Sequence, residues 1–311
     1  MIAAVLALLP YLPALALWQG TTLALYLASI HRIAGPLARD HGRLVLLFAI
    51  AYPAVFINLG HGHNGFLTAA LIGLALLLLD TRPLLSGILF GLLAYKPQFG
   101  LLIPLALIAT GRWKTFFAAT ITVALLVLAA TLVFGVTVWQ AFIDGSGYTR
   151  HVVLEAGQTG WHKIQTVFAW ARMWGAPLPL AYAIQIVVTL VVAAGVVWLW
   201  RSATSMRVKA AGLIIASLLA TPYSLDYDLM VLSPAIAFWA SDGLSRGFRP
   251  WEKTILAALW IVPMIARTLA EATSIPLTAP LLLVAFVLLL RRAAEVSGAR
   301  SLWLFFARAI K

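Results

Sequence analysis

Two short polar segments interrupt an otherwise apolar stretch of the chain, and they hold much of its candidate chemistry. The first contains His61, His63 and Asn64, and the second contains Lys96 and Gln98. The apolar residues between them predict two helices joined by a turn. Because a chain that crosses a membrane and returns brings both segments to one surface, we expect these five side chains to converge there.

Of the two segments, the one with Lys96 is the stronger indication of a functional site. A lone lysine between apolar helices must reach the membrane surface or meet an anionic partner, and Pro97 fixes the turn that carries it. Snorkelling of the ammonium group to the surface would account for Lys96 without a function. The functional hypothesis is a fixed cation for a phosphate or pyrophosphate.

The two histidines stand in a glycine-rich turn. They are two residues apart, unlike the i, i+4 spacing of histidine ligands on a helix, so we expect no metal site. In the simplest interpretation Asn64 caps the next helix, which accounts for the asparagine and the glycines. It accounts less well for two imidazoles, which can bind a hydroxyl or a phosphate oxygen.

A third polar group follows Pro222. Its members are Tyr223, Asp226, Tyr227 and Asp228. Either carboxylate is a candidate general base, or it forms an ion pair with a cation of the same surface. The candidate cations are Lys96, Lys163 and Arg172. The other acids expected on this surface, Asp144, Glu155 and Glu271, have no context that distinguishes them.

The composition indicates a protein embedded in lipid. Of the 311 residues, 63% are hydrophobic and 10% are charged, and the mean hydropathy is +0.98. A soluble domain is about half apolar and about a quarter charged, so the apolar excess needs lipid as its solvent. The absence of cysteine excludes disulfides and thiolate chemistry. A net charge of +12 would suggest nucleic acid in a soluble protein, but the placement of these charges argues for a membrane role and no nucleic-acid partner.

Hydropathy predicts an all-α, polytopic membrane protein with about eleven spans. They lie near residues 13–31, 44–57, 66–80, 84–95, 98–110, 115–134, 178–200, 208–221, 229–241, 254–267 and 277–290. Of the 22 Lys and Arg residues, only Lys96, Arg150, Lys163, Arg172 and Arg267 fall outside one set of alternate loops and the tail. By the positive-inside rule that basic set is cytoplasmic, and the polar groups described above face the extracytoplasmic side.

We expect one domain over residues 1–311, with no internal repeat. Loop 135–177 is long enough for structure of its own, and four of its residues follow helical spacing. These residues, Ile164, Val167, Phe168 and Ala171, predict an interfacial helix that roofs a cavity.

The cytoplasmic side looks simpler. The tail 294–311 predicts a second interfacial helix. The cytoplasmic loops are short, basic and plain, apart from the 247–253 connection, whose simplest role is anchoring.

Several motifs together resemble glycosyltransferase family 87. They are Gly62-His63-Asn64-Gly65-Phe66-Leu67-Thr68, Arg82-Pro83 with Gly87 and Gly91, Tyr95-Lys96-Pro97-Gln98-Phe99-Gly100, Trp161 with Lys163-Ile164-Gln165, Thr221-Pro222-Tyr223 with Asp226-Tyr227-Asp228, and Arg249-Pro250-Trp251-Glu252-Lys253. These motifs cover nearly the whole chain, although the Lys-Pro-Gln turn recurs loosely in other lipid-linked sugar transferases.

The resemblance implies the GT-C fold and a location in a bacterial inner membrane. It implies transfer of a hexose, most often mannose, from a polyprenyl-phosphate donor to a hydroxyl of a glycan or glycolipid acceptor, without a cofactor. Lys96 would face the lipid phosphate and stabilise its departure. The sugar and acceptor cleft would be lined by His61, His63, Asn64, Gln98, Lys163, Gln165, Tyr223 and Tyr227, with Asp226 and Asp228 beside them.

The chain departs from the family pattern in two places. Relatives often have Gln where this chain has His63. They also place the catalytic aspartate in a first outer loop, and no acid of this chain maps onto that position. Because residues 1–10 resemble half of an interrupted helix, we expect the true start to lie upstream. The alternatives are a noncatalytic homologue or Asp226 as a substitute base.

A transporter or flippase for lipid-linked sugars is the rival from another class. It would use the same phosphate-binding cation and the same cleft. Such proteins often have internal repeats and discontinuous helices near the membrane midplane.

Overall fold

The computed structural model describes residues 2–297, and the chain is 82% helical. Its α-helices are α1 (Ile2–Leu6), α2 (Tyr11–Ala34), α3 (Pro36–Ile50), α4 (Pro53–His61), α5 (Gly65–Leu78), α6 (Pro83–Leu92), α7 (Leu102–Ala109), α8 (Trp113–Phe134), α9 (Thr137–Tyr148), α10 (Val167–Met173), α11 (Leu178–Arg201), α12 (Met206–Leu219), α13 (Leu232–Arg246), α14 (Glu252–Thr273) and α15 (Thr278–Val296). No strand occurs in these residues, and Ile164 and Leu225 form an isolated antiparallel bridge. The all-α prediction is confirmed.

Each predicted span falls on a helix or a helix pair, but the helices differ in length. Three of them, α8, α11 and α14, are long and apolar enough to cross a membrane. The α3–α4 pair gives a fourth if its two arms, which are bent by 52° at Ala51–Tyr52, form one span. Pro53 accounts for the break, because proline at the start of α4 cannot continue the hydrogen-bond ladder of α3. The other spans of the eleven remain predictions.

The core surrounds α12, which is buried along nearly its whole length. Helices α11, α13 and α15 pack around it, and α2 packs on α5 and α13. A smaller second core lies within loop 135–177, around Leu154, Ile164 and Phe168. The polar segments of interest therefore lie on turns held by a packed helical scaffold.

Helices α6 and α8 approach very closely through two glycines. A Cβ at Gly87 would lie 2.5 Å from the Thr115 carbonyl oxygen, and one at Gly91 would lie 2.5 Å from Thr122 Cβ. Glycines four residues apart permit this kind of backbone approach between apolar helices. Of α8, Thr115 alone is buried, so this helix forms an outer wall.

The 247–253 connection takes part in a buried ion-pair network that the sequence did not reveal. Arg292 is 2% exposed and donates hydrogen bonds to Asp242 and Glu252, which are both 1% exposed, and to the Gly247 carbonyl oxygen. Asp242 also accepts a hydrogen bond from Ser205, the N-cap of α12. Hydropathy missed this network because it scores Arg292, a basic residue after an apolar run, without its distant acidic partners.

Loop 135–177 corrects a second expectation. The helix predicted to contain Ile164 begins at Val167, because Thr166 caps it and Ile164 is extended in its bridge to Leu225. The loop also holds α9 and a π-helical segment, Thr149–Glu155. For the predicted tail 294–311, residues 294–296 continue α15, and residues 298–311 lie outside the described part of the chain.

Candidate functional site

Asn58 connects two of the three polar segments. It is fully buried in α4, and its Nδ2 donates to the carbonyl oxygens of Ala54 at 2.8 Å and Tyr227 at 3.0 Å. Its Oδ1 accepts a hydrogen bond from the Gly65 N–H at 3.0 Å. Asn58 thereby caps α5, the role expected for Asn64, whose side chain makes no capping hydrogen bond. We expected Asn64 to be the cap because it directly precedes α5 in the sequence. The chain bends between α4 and α5, however, and this bend brings the Asn58 side chain to the start of α5.

Lys96 lies in a break between two helices. Short 3₁₀ turns, Leu93–Tyr95 and Pro97–Gly100, flank it between α6 and α7. Its Nζ forms an ion pair with Asp228 Oδ1, and the two residues are 5% and 1% exposed. Asp228 Oδ2 accepts a hydrogen bond from the Leu225 N–H at 3.0 Å. Both oxygens of Asp228 are thus engaged, and Lys96 has found the anionic partner that its position requires.

Aromatic rings stack beside this ion pair. The His63 ring lies parallel to the Tyr227 ring at 3.8 Å between centroids, and the His61 ring lies 5.5 Å beyond His63. Lys96 Nζ is 4.7 Å from the centroid of Tyr227 and 5.7 Å from that of Phe99. A cation at such distances is attracted by the negative face of a ring.

The surroundings of His63 favour its neutral form. Burial lowers its pKa below the ordinary value, and the nearby His61 and Lys96 lower it further, while Asp228 and Asp226 oppose the shift. At neutral pH the imidazole therefore has one ring nitrogen that can accept a hydrogen bond or a proton.

A groove of about 970 Å³ has His63 in its lining. His63, Asn64 and Tyr95 line its polar part. The rest is apolar and comes from α2, α5, α6, α8 and α9, including Trp18, Leu67, Val127, Phe134, Trp139 and Phe142. A second apolar groove of about 700 Å³ shares Ala94, Pro97 and Val123 with it. The part of loop 135–177 that covers the groove is α9, not the helix that we had expected to roof a cavity.

The remaining predicted site residues are placed differently. Gln165 is buried and holds the outer loop in place, since its side chain bonds to the His162 carbonyl oxygen and the Thr278 hydroxyl. Asp226 accepts a hydrogen bond from the Tyr227 N–H and lies 3.9 Å from Arg267. The side chains of three others, Gln98, Lys163 and Tyr223, are partly exposed and form no hydrogen bond with the described residues 2–297.

Glu155 is a residue whose surroundings the sequence did not reveal. Its carboxylate accepts hydrogen bonds from Tyr182 at 2.8 Å and His151 at 2.7 Å, and Arg150 lies at 3.5 Å. The bond from Tyr182, with further contributions from His151 and Arg150, lowers the pKa of Glu155. The i, i+4 spacing of His151 and Glu155 was visible in the sequence, but the contribution of Tyr182 comes from α11 and was not.

The fold and the site together define a class of protein: a helical membrane-associated protein with a mostly apolar groove whose lining includes an imidazole, an amide and a phenol group. The family model of glycosyltransferase family 87 matches residues 1–222, and the chain belongs to that family. The matched region contains the histidine and lysine segments, and it ends just before Tyr223. No curated protein and no solved structure matches the chain.

Proposed function

We propose that the protein transfers a hexose, with mannose the first candidate, from a polyprenyl-phosphate donor to an acceptor hydroxyl on the extracytoplasmic side of the membrane. The observation that carries this proposal is the groove of about 970 Å³, whose lining is mostly apolar and includes the polar residues His63, Asn64 and Tyr95. An isoprenoid chain fits the apolar part, and a sugar with its phosphate fits the polar part. The uneven distribution of Lys and Arg supports the side of the membrane.

The proposed reaction is a displacement at the anomeric carbon. The acceptor oxygen forms a bond to this carbon, and the bond between the carbon and the phosphate oxygen breaks, with its electron pair staying on the phosphate. The acceptor loses its proton to a base. Our candidate is His63, because its imidazole is neutral and lines the groove, whereas both oxygens of Asp228 are already engaged. Lys96 stabilises the departing phosphate.

Transfer of radiolabelled mannose from polyprenyl-phosphate mannose, assayed with the purified protein in liposomes, tests the proposal. His63→Phe keeps a ring to stack on Tyr227 but removes the nitrogens, so we expect transfer to fall about 100-fold or more. His31→Phe, at an exposed position outside the groove, is the matched control and should leave transfer unchanged.

Other outcomes would contradict the proposal in different ways. If His63→Phe transferred the sugar at the normal rate, His63 would not be the base. If the intact labelled lipid crossed the liposome membrane without release of polyprenyl monophosphate, the protein would be a transporter of lipid-linked sugars.

A further inference from the structure

The ion pair between Lys96 and Asp228 leaves part of the lysine's bonding capacity unused. An ammonium group has three N–H donors. Within the described residues, Lys96 Nζ has one oxygen partner, Asp228 Oδ1, and otherwise faces the rings of Tyr227 and Phe99. Spare donors on a buried cation point to a further oxygen-rich ligand.

The buried ion-pair network around Arg292 shows the contrast. The Arg292 guanidinium donates to Asp242, to Glu252 and to the Gly247 carbonyl oxygen. These hydrogen bonds join α13, α14 and α15 and use most of the N–H donors of the guanidinium group. Such a fully bonded side chain is typical of a residue with a structural role. Lys96 is bonded to one carboxylate only.

The backbone places Lys96 beside the groove. Its immediate neighbours Tyr95 and Pro97 both line the groove that has His63 in its lining. Lys96 itself has φ −129° and ψ 70°, outside the helical range, between two 3₁₀ turns. A residue in such a break is not held by a continuous helical hydrogen-bond ladder, so its side chain can turn toward the groove with a small local change.

The proposed reaction changes the charge that Lys96 would meet. The sugar donor is a phosphodiester with one negative charge, whereas the product is a phosphomonoester with a charge of about −1.5 to −2 at pH 7. The product would therefore bind a lone lysine more tightly than the donor does. A carboxylate beside the same ammonium group opposes this gain, because like charges repel.

We infer that Asp228 is a positioning residue, the resident counter-ion that competes with the lipid phosphate for Lys96 and so promotes release of polyprenyl monophosphate. This inference rests on the proposed function. Asp228 re-forms its ion pair when the product leaves, and the Leu225 N–H keeps the carboxylate in place between turnovers. The inference separates Asp228 from the general-base role considered for it from sequence.

Asp228→Asn tests the inference through product inhibition. We expect polyprenyl monophosphate to inhibit the variant at about a tenfold lower concentration, because one competing negative charge has been removed. The KM for the donor and the steady-state kcat should both fall, while the single-turnover rate stays near the wild-type value. Asp228→Glu, which retains the charge, should restore the wild-type inhibition.

Two other results would overturn the inference. A collapse of the single-turnover rate in Asp228→Asn would identify Asp228 as the base. Unchanged product inhibition together with lower thermal stability would make it a structural residue. Asp242→Asn is the matched control, since it weakens an equally buried ion pair at the far end of α13 and should lower stability without changing inhibition.

A double variant covers the case in which Asp228→Asn does not fold. Lys96→Met with Asp228→Leu replaces the buried pair by apolar side chains, an exchange that is often neutral for stability. Polyprenyl monophosphate should stabilise the wild type against heat more than the matching polyprenol does, and this preference should vanish in the double variant. A preference that persists would overturn the inference alone. No preference in the wild type would contradict the polyprenyl-phosphate donor, and the inference with it.

Discussion

At the scale of single residues, the site depends on Asn58, which does not itself line the groove. Its buried side-chain amide forms hydrogen bonds with the Gly65 N–H at the start of α5 and with the Tyr227 carbonyl oxygen. The Tyr227 ring in turn stacks on the His63 ring and lies beneath the Lys96 ammonium group. The close contact of Asn58 with Gly65 leaves no room for a side chain there, because a Cβ would lie 2.3 Å from Asn58 Oδ1.

Gly65→Ala should therefore destabilise the protein by about 1–3 kcal/mol, since Asn58 must move and lose a hydrogen bond. The free energy of unfolding in detergent measures this. Gly60→Ala is the control: Gly60 lies in α4 with nothing within 4 Å of the added Cβ, so alanine should be neutral or stabilising there. Equal effects of the two changes would refute the steric argument.

At the scale of elements, the shape of the groove depends on how closely α6 and α8 pack. Their contact runs through Gly87 and Gly91, and the Thr115 hydroxyl adds a hydrogen bond to the Pro83 carbonyl oxygen at 3.1 Å. Because α8 has its principal contact with α6, the position of its groove-lining residues, such as Val123, is set by this one helix pair.

Gly91→Leu should push α8 away from α6, lower the free energy of unfolding by about 1–3 kcal/mol, and reduce sugar transfer by distorting the groove. Gly20→Leu provides the comparison, because Gly20 is exposed in α2 with open space around it and should tolerate leucine. Thermal unfolding and the transfer assay, measured on both variants, test this prediction. Wild-type transfer by Gly91→Leu would show that the spacing of α6 and α8 does not set the groove.

At the scale of the whole molecule, helix α13 separates the Lys96–Asp228 ion pair from the ion-pair network around Arg292. One lies near the start of the helix and the other near its end. Asp228 precedes the start of this helix, and Asp242 lies in its last turn. The distribution of basic residues predicts that these ends face opposite sides of the membrane, with the groove on the extracytoplasmic side.

Cysteine labelling checks this orientation directly, since the natural chain has no cysteine. Ser146 and Thr81 are both exposed and differ little in size from cysteine. In intact cells a membrane-impermeant maleimide should label Ser146→Cys, and it should label Thr81→Cys only after the cells are opened. The reverse pattern would place the groove on the cytoplasmic side, and labelling of both in intact cells would refute the assignment of these two loops to opposite sides.

Local pattern was enough to predict the helices, since apolar runs and breakers act within a few residues. It was also enough to expect an anionic partner for Lys96, with Asp226 and Asp228 among the candidates, but not to choose between these two acids. It could not predict the hub role of Asn58 or the pairing of Arg292 with Asp242. Both depend on contacts between residues far apart in sequence, which the three-dimensional arrangement alone determines.

The exposed face of α8 has a consequence for how the protein meets its substrate. On the side of α8, where Thr115 is the one buried residue, a single helix forms the wall between the groove and the exterior. For the proposed isoprenoid donor, this arrangement would allow entry from the plane of the bilayer without passage through water. Occupancy of the groove would follow the mole fraction of that lipid in the leaflet, and diluting the membrane with other lipids would slow the protein even at constant bulk concentration.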